Sequence, residues 1–466
     1  MPSQPALHTS LAFVADLVDT ADRFERGDAG ICVGDVVELY DSGVSGVVVS
    51  MEGTRGRLRA DDGSEVAFDT ADGVEGYVID RPSLRQLWED HLKHAPAEGV
   101  AIVEGLPEAL QARLRAGVEA LKAGRVDYHP GSGTIVRDLV HPSLFPLVRE
   151  APPPSPDPQV PKKSGWLARL LGTAAPTPPP PDRWQRPYEG SIYQWLPTRF
   201  DIDEAGAVSV VGPINNLPRD EHASTYDALA ELFAHLLPSF ESVCGYIDAL
   251  ELYDDRLEGE HELPQADAVA RTPQPAEPRS LRGRTLQVIT KIVEYDLKTD
   301  ETFEGVWHVE GMSHEHILAT GVYTLHRDAG LAGGELRFKR GYTPEEAGAL
   351  FWTIPQCRPS SIEEMVDEAY VPVGTVATPA GRGFVFPNSH VHKLSPMSAT
   401  EQPARRQVIV FWLVDPDVTL TGMEEVPLPQ STMTYEQACE VRLALMEERR
   451  RHKQSHNVRA VSLCEH

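Results

Sequence analysis

From Arg284 to Pro416 the chain is a succession of short β-type runs: TLQVITKIVEYDL, HILATGVYTLHRD, GGELRFKR, GTVATPAGRGFVFPN and RQVIVFWLVDP. Val, Ile, Tyr, Phe and Trp suit a pleated, packed surface, and the glycines and prolines between runs end each one early. Strands this short must cover one another. The series therefore points to an antiparallel barrel or a double-sheet jelly roll. With 466 residues, 41% of them hydrophobic, the chain can bury a sizeable core and hold more than one compact unit.

The flanking segments have a different texture. Residues 8–26 read as an amphipathic helix within an N-terminal stretch 1–27. Residues 28–80 alternate β-branched runs with the turns Asp41-Ser42-Gly43, Glu52-Gly53 and Asp62-Gly63. That pattern predicts a small β-barrel or meander, SH3-like in size, which either binds a peptide or serves as a passive accessory. Residues 82–125 carry Leu84, Leu87, Leu92, Leu110, Leu114 and Leu121 at helical spacing, so 82–150 reads as mainly helical. HPSLFPLV (His141–Val148) is apolar and broken by prolines, an extended segment over a core.

Residues 151–185 form a Pro-rich linker around the island KKSGWLARLLG. The island is either a docking helix presenting Trp166, Leu167, Leu170 and Leu171 to a protein partner or an apolar patch in a tether. The β-rich core spans 186–430 and includes a helix with Tyr226, Leu229, Leu232, Phe233, Leu236, Leu237 and Phe240 on one face. In the closing segment 431–466, Thr434 and Gln437 make a capping box. Glu early and Arg or Lys late then suit the dipole of a helix over 435–453.

Lys and Arg number 43 against 70 Asp and Glu, a formal charge of −27. Such a surface repels phosphate, so no nucleic-acid partner and no docking on anionic lipid are expected. No run approaches the ~18 apolar residues of a membrane span. The five cysteines include no CxxC pair, and the N-terminus lacks a basic stretch before its apolar one; a reducing, cytoplasmic location fits both.

WHVEGMSHEH (Trp307–His316) concentrates ligand chemistry. In a strand, residues i and i+2 share a face about 7 Å apart, so His308 and Glu310 can converge on one ion. A 2-His-1-carboxylate set then needs one more imidazole from elsewhere. HExxH fails, because Leu318 stands where its second His belongs. His314 and His316 also lie two apart, but His316 opens an apolar run where a buried, backbone-bonded His is ordinary. Glu315 reads as a partner of the ligands from behind or, more plainly, as a charged turn residue. The distal ligand comes from GRGFVFPNSHVHKLSP, where His390 and His392 both qualify. Arg406 opens the apolar run QVIVFWLV, a costly place for a charge unless an anion meets it.

The order HxE, GGELRF (Gly333–Phe338), GRGFVFPN with H-K-L-S-P, and R-x-x-x-x-F-W resembles the Fe(II)- and 2-oxoglutarate-dependent oxygenases. More closely, the chain resembles the family known as domain of unknown function 4246. HPSLFPLV, YQWLPTRFDIDE, INNL, LRGRTLQVITKI, WHVEGMSHEHILATGVY, RRQVIVFWLVDP and RLALMEERR carry the match over roughly 82–453. The resemblance implies an α+β fold with a double-stranded β-helix core, jelly-roll or cupin-like, and flanking helices. It implies His308, Glu310 and His392 as metal ligands, His392 being the one that precedes the Leu394–Pro396 pattern. It also implies Arg406 rather than Arg405 as the clamp on the distal carboxylate of 2-oxoglutarate, with Thr324 against the same carboxylate. Glu310 departs from the commoner Asp by one methylene, and SPMSATEQPARR departs from the family's PF…PGHRK.

The implied activity is dioxygenation: Fe(II), 2-oxoglutarate and O2 acting on an unknown substrate, with hydroxylation or oxidative demethylation and succinate and CO2 as co-products. Glu310 argues against halogenation. Trp307 and Arg337 are candidates for the substrate wall, with core packing the plainer role for Trp307. Two other classes stand beside this one. A catalytically inactive jelly-roll scaffold would dispense with the ligands. A zinc-dependent cupin-type enzyme would leave Arg406 and GGELRF without purpose. Neither 254–280 nor 340–372, expected to frame the pocket, names a substrate.

Overall fold

The computed structural model describes residues 31, 33–39, 42–70, 76–80, 82–95, 97–149, 191–252, 276–346 and 370–456. The expected helix at 8–26, the linker with Trp166–Leu171, and most of the two segments expected to frame the pocket lie outside the described residues. The fold is α+β and its sheets are antiparallel.

Five strands, β1 (Val36–Leu39), β2 (Val44–Glu52), β3 (Arg55–Ala60), β4 (Glu65–Asp69) and β5 (Gly76–Asp80), form one sheet in the order β4-β3-β2-β1-β5. Gly43, Gly53 and Gly63 hold positive φ at the tight turns the sequence marks. One face buries Val37, Leu39, Val48, Leu58 and Phe68. The order is open from end to end, so the barrel expected over 28–80 is an open meander. Among the described residues no sheet closes into a barrel.

Residues 82–125 are not one helical segment. Helix α1 (Pro82–His94) and helix α2 (Glu108–Lys122) are separated by strand β6 (Ala101–Val103). VAIV favours extended chain and Pro107 restarts the helix, while β6 pairs with the edge of the large sheet. That sheet also contains β7 (Val136–Val140), β8 (Thr198–Ile202), β9 (Val208–Val210), β10 (Thr285–Leu297), β11 (Ile317–Arg327), β14 (Gly383–Pro387) and β16 (Ala404–Val414). Its order is β9-β8-β10-β16-β11-β14-β6, with β7 also paired to β10.

Both faces of this sheet are covered, which is why its central strands are apolar almost throughout. In β10, Leu286, Val288 and Ile292 face one core, and Ile289, Val293, Tyr295 and Leu297 face the other. The first core is closed by α2 and by helix α3 (Arg219–Ala249), whose Phe233 packs against Phe200 and Phe411. The second core lies between the large sheet and a three-stranded sheet ordered β13-β12-β15, from β12 (Leu336–Gly341), β13 (Tyr370–Val376) and β15 (Val391–Leu394). The candidate site sits in this second core.

The last element among the described residues is helix α4 (Tyr435–His456). Its capping box forms as the sequence predicts: Thr434 N–H donates to Gln437 Oε1 at 2.8 Å, and Gln437 N–H donates to Thr434 Oγ1 at 3.2 Å. No helix among the described residues is long and apolar enough to cross a membrane.

Candidate metal centre

His392 lies on β15 opposite Phe338 of β12. On its other side the segment carrying His308 runs antiparallel: His308 N–H donates to His392 O at 3.0 Å, and His392 N–H donates to His308 O at 2.9 Å. The two rings are thus fixed as cross-strand neighbours with centroids 4.2 Å apart. Glu310 follows two residues on, as the HxE alternation requires. Asn388 holds its backbone, accepting from Glu310 N–H and donating to Glu310 O, both at 2.9 Å. Gly311 then takes φ +62°, and a Cβ there would meet Glu315 Oε2 at 2.7 Å.

The hydrogen bonds of the two imidazoles fix their tautomers. His308 Nδ1 lies 2.7 Å from the Val306 carbonyl and His392 Nδ1 lies 3.3 Å from the His390 carbonyl. A carbonyl can only accept, so both Nδ1 atoms carry the proton and both Nε2 atoms present lone pairs. Those Nε2 atoms face Glu310 Oε1, at 3.9 Å from His308 and 3.5 Å from His392. All three side chains are buried and their ligand atoms lie within 4.8 Å of one another. Burial opposes ionisation of Glu310. The nearby His392 and His308 side chains and the Lys291 ammonium outweigh it and hold the carboxyl below its ordinary range.

The centre opens into a cavity of about 80 Å³ between the two sheets, walled by Phe384, Phe386, Val408, Val410 and Trp412 among others. Arg406 enters from the large sheet. Even-numbered residues of β16 face the cavity, so Arg406 points in while Arg405 is exposed. The Arg406 guanidinium is buried, and no carboxylate among the described residues pairs with it. Its contacts are the Gly334 carbonyl at 3.4 Å and the Tyr295 ring at 5.8 Å. Burial lowers its pKa to about 10, against a smaller raising effect of Tyr295. Thr324 is paired in register with Val408 and so shares the cavity face. Its buried Oγ1 has no hydrogen-bond partner among the described residues.

The other candidates go elsewhere. His390 sits in the turn before β15, where strand alternation does not apply. Its Nε2 meets the Glu98 carbonyl at 3.1 Å, and burial lowers its pKa to about 3. His314 Nε2 meets the Tyr193 carbonyl at 2.8 Å, and His316 takes φ 47° at the end of a 3₁₀ turn. Glu315 is not an exposed turn residue. It is fully buried, accepting from Trp195 N–H and Met312 N–H and pairing with Arg449 of α4. Trp307 is half-buried under Lys339, and Arg337 sits between the inward-facing Leu336 and Phe338. Neither Trp307 nor Arg337 lines the cavity.

Two features escaped the sequence. Lys291 lines the cavity from within an apolar run; its only sequence signal is a lone charge among Val and Ile. A second cluster, His129, Asp138 and His141, also brings ligand-type atoms within 4.8 Å. Part of its donor set is spent internally, however, although Asp138 Oδ1 and His141 Nε2 have no hydrogen-bond partner among the described residues. His129 Nδ1 bonds Asp138 at 2.9 Å, Ser143 N–H donates to His141 Nδ1 at 3.1 Å, and Arg442 stands 3.7 Å from the carboxylate. An imidazole whose Nδ1 accepts must carry its proton on Nε2 and has no lone pair there for a metal. This cluster reads as an internal hydrogen-bond network.

The sequence profile of the family described as "Protein of unknown function (DUF4246)" matches residues 99–437. No curated protein matches the chain. Solved structures with similarity include IDO from Bacillus thuringiensis, at 9% identity over 28% of this chain and 50% of that one, TM-score 0.19. An oxidoreductase of the 2OG-Fe(II) oxygenase family from Burkholderia pseudomallei is similar at 13% identity over 53% and 77%, TM-score 0.20. AviO1 from Streptomyces viridochromogenes Tue57 is similar at 13% over 74% and 98%, TM-score 0.23. The chain spans half the length of the first of these.

Proposed function

This chain belongs to the family of proteins of unknown function DUF4246, and for it we propose the activity of a non-haem Fe(II)- and 2-oxoglutarate-dependent dioxygenase that hydroxylates or oxidatively demethylates its substrate. We read the facing antiparallel sheets as a double-stranded β-helix, spanning 186–430 with 82–150 packed on it and the 28–80 module as an appendage. A reducing, cytoplasmic setting suits Cys244 and Cys439, which form no disulfide.

One observation carries the reading. A single cavity holds a 2-His-1-carboxylate set with both Nε2 lone pairs turned to the acid, and a buried guanidinium that no carboxylate among the described residues neutralises. The donor set suits Fe(II): two neutral imidazoles and one carboxylate, with positions left for co-substrate and O2. When bound, the iron would supply O2 activation coupled to oxidative decarboxylation of 2-oxoglutarate to succinate and CO2.

The protein's own residues do the rest. His308, Glu310 and His392 hold the ion, and the Val306 and His390 carbonyls keep both rings in the ligating tautomer. Arg406 receives the distal carboxylate of 2-oxoglutarate, where its planar fork fits a planar anion in a dry site. Thr324 adds its hydroxyl to the same carboxylate. Phe384, Phe386, Val408 and Trp412 line the cavity and would keep water out of the site.

Anaerobic addition of Fe(II) and 2-oxoglutarate should produce a weak visible charge-transfer band in the wild-type chain. His308→Ala should abolish iron binding and His314→Ala should retain it. Absence of the band, with no succinate formed from 2-oxoglutarate, would overturn the assignment.

A further inference from the structure

Lys291 occupies the middle of β10, 2% exposed, and lines the cavity. Its register partner on β16 is Val410, four residues from Arg406 on the same face. At about 3.3 Å of rise per residue, the two positions lie ~13 Å apart along the strand direction. Arg406 marks one end and Lys291 the other.

Among the described residues no hydrogen bond or ion pair reaches the Lys291 ammonium. The acids nearest in the electrostatics have other partners. Glu310 faces His308 and His392. Asp138 is bonded to His129 and flanked by Arg442 through one oxygen, and its other oxygen makes no hydrogen bond to Lys291. A compact ammonium in an apolar wall is costly unless an anion meets it. With a divalent ion on Glu310, that carboxylate is neutralised, and the cavity around Lys291 becomes still more positive.

Resting on the oxygenase reading above, we propose that Lys291 anchors a carboxylate of the substrate to be oxidised, so that the substrate is an organic acid. The co-substrate is accounted for at the other end, with its distal carboxylate on Arg406. A second acid entering beside Glu310 would meet Lys291 and lie next to the ion. A rival source of the same chemistry is the carboxylate of 2-oxoglutarate nearest the metal, and the test separates the two.

The probe is acetate labelled with ¹³C at the carboxyl, titrated into protein loaded with Mn(II) and 2-oxoglutarate. Saturable paramagnetic relaxation of the label is expected in the wild type. It should weaken at least tenfold in Lys291→Met and be partly restored in Lys291→Arg, and acetamide should not compete. The 2-oxoglutarate-dependent Fe(II) band should be unchanged in Lys291→Met, and its melting temperature equal to or above wild type.

Equal relaxation in wild type and Lys291→Met, none in the wild type, or competition by acetamide would each overturn the proposal. Loss of the Fe(II) band in Lys291→Met alone would assign the lysine to the co-substrate instead. A large fall in melting temperature would make it a structural counter-ion to Asp138 and Glu310. If the wild type itself gives no band, the oxygenase reading falls and takes this proposal with it.

Discussion

Arg449, near the end of the C-terminal helix, donates to Glu315 at 2.8 Å while its guanidinium lies 4.4 Å from the centre of the Trp195 ring. Both charged side chains are buried, and Glu315 also takes the N–H groups of Trp195 and Met312. One carboxylate therefore ties the loop after Glu310 to both the Trp195 segment and α4. Arg449→Met leaves that carboxylate buried without its cation, a loss of about 3–5 kcal/mol in urea unfolding. Metal affinity should fall about 10–100-fold, as for other residues that orient ligands from behind. Arg449→Met combined with Glu315→Met should recover part of the stability, measured as a double-mutant cycle.

Arg406→Met removes a buried charge that no carboxylate among the described residues balances. The unliganded variant should therefore melt no lower than wild type. Its 2-oxoglutarate requirement should rise ~10–100-fold, the equivalent of about 1.5–3 kcal/mol for a lost charge-assisted bond. A co-substrate titration beside a thermal melt checks both halves.

Asn388→Ala removes two hydrogen bonds to the Glu310 backbone and one, at 3.2 Å, to the Ile317 carbonyl. Each is worth about 0.5–1.5 kcal/mol, so the cost to folding is modest. The larger effect should be on the ion, because Glu310 loses its fixed approach. Metal titration should show weakened binding with an unchanged far-ultraviolet circular dichroism spectrum.

His141 is the group to watch in acid. Burial first, then Lys291, His129 and Arg442, push its pKa well below the ordinary 6.5, against the pull of Asp138. Below about pH 6.5 the unfolded chain binds a proton that the folded chain refuses. Stability contributed by the neutral ring is thus present above 6.5 and lost as pH falls, by up to about 1.4 kcal/mol per unit. His141→Asn keeps an acceptor for Ser143 N–H and removes the titration. Its urea midpoint should shift less between pH 7 and pH 5 than that of the wild type.

What could be read in the sequence followed local periodicity. HVE puts two donors on one face because strand alternation needs no distant partner. Thr434 and Gln437 declare a helix start for the same reason. His390 and His392 looked equivalent by spacing, and only the turn at 388–390, which breaks the alternation, separates them in space. Arg449 reads as a dipole-matching residue late in a helix, and Arg442, in the first half of that helix, carries no local signal at all. Their partners, Asp127 and Glu315, lie far back in the chain, and no local pattern records such pairings. The strand 101–103 was hidden because its pairing with β14 is equally remote.

The two backbone bonds between His308 and His392 also set an order of events during synthesis. Neither imidazole has a neighbour until β15 has been made, and the wall opposite them is incomplete until β16 ends at Val414. The proposed ligands can therefore come together only once residues through Val414 have been made, and adding the metal to finished protein should load the site.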